Sequence, residues 1–115
     1  MEVDGFAIQL AAVESAFTLR DRSRVVDFLR ANPCLFPLLP SLSKAVDDAF
    51  GEGTNVALRV ACYGAPWLDD ELEVLIQTSA DADDALARLH AFDDAWLMDH
   101  DDQANGKLSA HIEYV

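Results

Sequence analysis

The chain has 115 residues, 51% hydrophobic and 25% charged, with a formal net charge of −13. That size and balance describe one folded domain with its own core and exclude a disordered chain. The charge is lopsided: residues 1–59 carry 8 acids and 6 bases, whereas residues 60–115 carry 13 acids and 2 bases, net −11, a field that excludes direct nucleic-acid binding by that half.

The N-terminal stretch MEVDGFAIQL has acids where an export signal needs Lys or Arg, so a cytoplasmic protein is expected. Over residues 6–19, Phe6, Leu10, Val13 and Phe17 recur at steps of 4, 3 and 4, the stripe of a helix. After the polar DRSR, Ser23 is placed to cap a second helix that buries Val25, Val26, Phe28 and Leu29. Asn32-Pro33 stops it, because a residue before proline avoids helical ψ. The uncharged stretch ANPCLFPLLPSLS is too short and too rich in proline to span a bilayer. A third helix begins near Pro40, carries Leu42, Val46 and Phe50, and ends at Gly51 and Gly53.

The period then changes. In NVALRVACY, Val56, Leu58, Val60 and Cys62 alternate with Ala57, Arg59, Ala61 and Tyr63, which predicts a strand. GAPWLDD is a turn. ELEVLIQTS is a second strand with Leu72, Val74, Ile76 and Thr78 on one face, and the two form a hairpin. Ser79 is positioned to cap a fourth helix, with Asp81, Asp83 and Asp84 in its first turn, where negative charge suits the dipole. Its buried stripe is Ala82, Leu86, Leu89, Phe92 and Trp96, Asp84 can pair with Arg88, and it ends near Met98. Asn105-Gly106 turns the chain into a last strand, KLSAHIEYV, with Leu108, Ala110, Ile112 and Tyr114 on one side.

The fold class is therefore α+β: N-terminal helices followed by β-β-α-β, a small mixed sheet of three strands with helices packed on one face, half of a ferredoxin-like arrangement. Residues 1–115 form a single domain, with 1–53 mainly helical and 54–115 the ββαβ part. The helix before the last strand is a crossover, so the last two strands run parallel. Ala57, Ala61 and Leu75 leave apolar surface on the second face, and a homodimer covering that face or an edge strand fits. Cys34 and Cys62 are expected to be buried thiols, with a disulfide as the alternative.

The pieces FLRANPCL (28–35), AVDDAF (45–50), LRVACY (58–63), DDELEVLIQT (69–78), ALARLHAFDDAW (85–96) and LSAHIEYV (108–115) together resemble a pattern of small bacterial proteins of ααββαβ order. The resemblance covers most of the chain except residues 1–20 and falls mainly on core positions. It implies the fold, and an accessory factor of mobile or stress-related gene sets, some of them antitoxin-like. It implies no catalytic residues.

The acidic clusters are the candidate sites. MDHDD, residues 98–102, places His100 among Asp99, Asp101 and Asp102. A calcium loop starting at Asp101 would have Gln103, Asn105 and Gly106 in place, but its twelfth position is Ile112, and the bidentate acid is missing. Zinc lacks nitrogen and sulfur ligands here. No metal and no cofactor are expected. Asp93, Asp94, Asp99, Asp101 and Asp102 lie at or beyond a helix C-terminus, where each acid opposes the dipole by about 0.3–1 kcal/mol. No Lys or Arg falls between Arg88 and Lys107 to offset them. The cluster is either a solvated turn that tolerates the cost or a landing site for a basic protein surface. PWLDDE, with Trp67, Asp69 and Asp70, is a second candidate contact loop, unless Trp67 folds back on the core.

Catalysis finds no motif. Ser109, His111 and Glu113 share a strand face, which suits a general base or simply a wet sheet face, and His90 can meet Asp94 one helical turn on. The expectation is a non-enzymatic acidic interaction module, antitoxin-like or immunity-like, with a basic protein as partner and neither membrane nor nucleic acid. The alternative is a small-molecule binder or enzyme with a pocket between sheet and helices or at a dimer interface.

Overall fold

A computed structural model describes residues 5–61, 70–100, 102–104 and 106–115. The elements run α1 (Gly5–Ala16), β1 (Thr18–Leu19), α2 (Arg22–Ala31), a 3₁₀ turn (Pro33–Leu35), α3 (Leu38–Phe50), β2 (Val56–Ala61), β3 (Glu71–Thr78), α4 (Ala82–Phe92), a π turn (Asp93–Leu97), α5 (Met98–His100) and β4 (Leu108–Tyr114). This is the expected α+β order with helices on a mixed sheet. Among the described residues, no helix is long and apolar enough to cross a membrane.

The sheet has four strands, not three, in the order β1-β2-β3-β4. β2 and β3 are antiparallel, and β3 and β4 are parallel across the helical crossover, both as expected. The added strand is β1, which pairs parallel to β2 through Thr18↔Ala57 and Leu19↔Leu58. The predicted first helix therefore stops at Ala16, and Phe17 enters the core from just beyond it. Two residues are too few to show an alternation, so β1 had no periodic signal.

One side of the sheet carries the core. Leu58, Leu72, Val74, Ile76 and Leu108 meet Leu29, Leu35, Leu39, Leu42, Val46 and Phe92 from the helices. Each such large side chain contributes about 1.5–3 kcal/mol by leaving water. These side chains form the contact layer between sheet and helices. Within α4 the buried positions are Ala85 and Phe92, and Trp96 is buried in the π turn that follows, whereas Ala82 and Leu86, expected in the stripe, are exposed.

Three local readings change. Asp81, not Ser79, caps α4: its side chain accepts the Asp84 N–H at 2.9 Å. Ser23 lies inside α2, which begins after Asp21, held at φ 51 in the left-handed region that Asp tolerates. Its carboxylate meets Arg24 at 3.5 Å instead of capping a backbone N–H. Cys34 is exposed rather than buried. Cys62 lies outside the described residues.

Gly51 ends α3 at φ 109, as its position predicts. Arg88 ties that end to α4, donating to the Phe50 carbonyl at 3.2 Å while it pairs with Asp84 at 3.0 Å.

Candidate functional site

Asp70 precedes β3 directly, and the turn after α5 leads into β4. β3 and β4 are parallel neighbours, so the segments entering them, which hold Asp70 and the turn after α5, lie side by side. The Leu72 N–H donates to the Lys107 carbonyl at 2.8 Å and fixes this approach. Asp70, Asp99 and Asp102 are exposed. Trp67, Asp69 and Asp101 fall outside the described residues.

His100 belongs to the helix end rather than to a ligand cluster. Its ring stacks on Trp96, with centroids 4.4 Å apart and planes at 14°. Its Nδ1 is 2.7 Å from the Trp96 carbonyl, so this nitrogen carries the proton and caps the helix. Trp96 stacks in turn on Phe92 at 5.8 Å and donates its indole N–H to Ser41 Oγ at 2.6 Å. The stack therefore locks the end of α4 to α3. Among the described residues, no group of three or more metal-type side chains forms.

The same helix end holds an unusual carboxylate. Asp93 opens the π turn, and its Oδ1 is buried without a hydrogen-bond partner. Burial pushes its pKa up; His90 and His111 pull it down and Asp94 pushes it further up. Asp83, Asp94, Asp99 and Asp102 make no ion pair among the described residues, whereas the bases Arg20, Arg22, Arg24, Arg59 and Arg88 are all engaged. Among the described residues, Arg88 pairs with Asp84 of α4, and the outer side and end of the helix carry net negative charge.

The second face of the sheet is a closed ion network that the linear sequence does not reveal. Thr18 pairs with Ala57, and Arg20, two residues on, shares that face. Arg20 forks onto both oxygens of Glu113 on β4. Gln77 donates to the same carboxylate at 2.8 Å. These hydrogen bonds hold Glu113 well down, at a pKa of about 2, and raise Arg20. Beside them Arg59 donates twice to Glu73, at 2.9 and 2.7 Å. Ala57 and Leu75 on this face are fully or nearly fully buried. They do not offer the free apolar surface expected for a dimer contact.

His111 Nε2 lies 3.2 Å from Glu73 Oε2 and 3.1 Å from Ser109 Oγ. Both contacts use one nitrogen. A base that activates a serine needs a bare nitrogen toward Oγ and the orienting carboxylate on the other nitrogen. Here the carboxylate and the hydroxyl meet the same nitrogen, which differs from that arrangement. The strand alternation made these residues visible as one face; the side-chain geometry shows which atoms meet.

Two grooves lie between helices. One, of about 330 Å3, runs between α3 and the α4 end, with Ser41, Lys44, Asp48 and Trp96 in its lining. The other, of about 500 Å3, runs between α1 and α3 and has no charged residue in its lining. A surface depression of about 390 Å3 joins Asp70 to Arg24, Asp27 and Phe28 of α2.

Comparison with known proteins found no matching family model, no matching curated protein and no matching solved structure.

Proposed function

We propose that the chain is a non-enzymatic interaction module that binds a basic protein surface, as an antitoxin-like or immunity-like factor would. One observation carries the reading: the exposed carboxylates Asp94, Asp99 and Asp102 follow the C-terminal end of α4, and none of them has a cationic partner among the described residues. Acids at a helix C-terminus oppose the dipole, and a cationic partner would relieve that cost on binding. Asp70 enters the neighbouring strand and extends the same negative end.

The test is affinity capture from the source cell with the full chain as bait. A basic protein should be retained at low salt and released as ionic strength rises, because exposed charge pairs are screened. Changing Asp99, Asp101 and Asp102 together to Asn should abolish its retention. Recovery of no basic protein, or equal retention by the triple variant, would overturn the proposal.

A second reading, a small-molecule binder, rests on the groove between α3 and α4. Its volume of about 330 Å3 falls in the range of ligand pockets, and Trp96, Lys44 and Asp48 give it one aromatic and two charged walls. A Lys44→Ala variant that alters capture of a small-molecule library by the full chain would favour this reading.

A further inference from the structure

α1 reads GFAIQLAAVESA, mostly apolar, and its one charged residue, Glu14, is held by Arg22 of α2. Leu10 and Val13 are buried, whereas among the described side chains Gln9, Ala11, Ala12, Ser15 and Ala16 are exposed, and so is one large apolar side chain, Ile8, at 59%. Along this helix runs the groove of about 500 Å3, with Ala12, Ala16, Phe17, Phe36, Pro37 and Pro40 in its walls. Ile8 precedes Ala12 by four residues and so stands at the rim of that groove, on the same helix face.

We propose that this face is where two copies of the chain associate, α1 of each lying in the α1–α3 groove of the other. The occupant is argued from two features. The first is self-complementarity. A two-fold contact uses one patch twice, so the patch must contain both a projection and its receptacle. Here Ile8 projects and the groove beside it receives, with alanines at Ala12 and Ala16 that let two helices approach closely. The second is charge. Two chains of −13 repel over most of their surface. The groove is lined by no carboxylate, so desolvating it against a second copy buries no like charge. A heterologous basic partner would gain nothing from a surface without acids. The proposal is independent of the acidic contact at the end of α4, and salt separates them. Added salt weakens binding of a basic partner but should tighten this dimer by screening repulsion between the copies.

The test is sedimentation velocity of the full chain over a concentration series from about 1 to 200 μM, spanning the micromolar range of modest interfaces, at low and at high salt. The expected result is a monomer–dimer equilibrium shifted toward dimer by salt. Ile8→Glu and Ala12→Arg, at exposed positions, should each weaken the dimer by at least tenfold while the circular dichroism spectrum stays unchanged. A wild-type chain that is monomeric throughout would overturn the proposal, and the groove would then be open to a small molecule or to another chain. A dimer that both variants leave intact would overturn it equally, since association would then use another face.

Discussion

Arg20 and Glu113 join the two edge strands of the sheet across its wet face. Arg20 follows β1 at one edge, Glu113 lies on β4 at the other, and their forked ion pair bridges β2 and β3. Beneath the network lie the paired residues Ala57 and Leu75, both buried. The pair thus anchors a two-residue strand that has little else to hold it, and closes a face that three strands would leave open.

This arrangement predicts a pH dependence. The folded state holds Glu113 at a pKa of about 2, below its ordinary value of 4.5. A depressed carboxyl contributes stability that is present above the unfolded pKa and fades as pH falls through the folded one. Glu113→Gln should therefore melt below the wild type at pH 7. The difference should shrink between about pH 4.5 and 2, as thermal melts across that window would record. A gap that stays constant with pH would mean the pair contributes nothing through its charge.

Asp93 predicts the opposite slope. Its carboxyl is pushed up by burial and one oxygen has no partner. A raised carboxyl destabilises the fold once pH exceeds the unfolded value, and the penalty disappears below it. Asp93→Asn should stabilise the protein at pH 7, because it removes a charge that burial disfavours. The gain should vanish in acid, where Asp93 is itself neutral. Paired denaturant titrations at pH 7 and in acid provide the check.

The cap of α4 separates two residues of similar promise, Ser79 and Asp81. Asp81 accepts the Asp84 N–H, so Asp81→Ala should cost about 1 kcal/mol. Ser79→Ala should stay within roughly 0.5 kcal/mol, as surface substitutions away from such features do. Urea midpoints of the two variants decide between the caps.

Trp96 predicts the largest loss. It is buried between Phe92 and His100 and bonded to Ser41. Trp96→Ala should destabilise by about 3–5 kcal/mol. Ser41→Ala should cost about 1 kcal/mol, the net contribution of one hydrogen bond. Equal losses from the two would place the effect in the hydrogen bond instead of the packed ring.

Much of this protein was legible in its linear sequence because it depends on local periodicity. The alternation in VALRVA and ELEVLIQT marked both hairpin strands and their inner faces, Asn32-Pro33 ended α2, and Gly51 ended α3. The uneven charge was plain from counting, and the exposed Asp70, Asp99 and Asp102 follow from it. Contacts distant in sequence decided the rest. Thr18–Leu19 became a strand only because β2 offered an edge to pair with. Ala57 and Leu75 share their face with Arg20 and Glu113, which meet across 93 residues of sequence. His100 was drawn out of its acidic cluster by a ring and a carbonyl of Trp96, one turn back on a helix whose wide final turns no simple spacing rule anticipates. Periodicity can tell which face of an element is apolar. Which polar side chains meet across the sheet depends on strand order, and only the folded chain sets that.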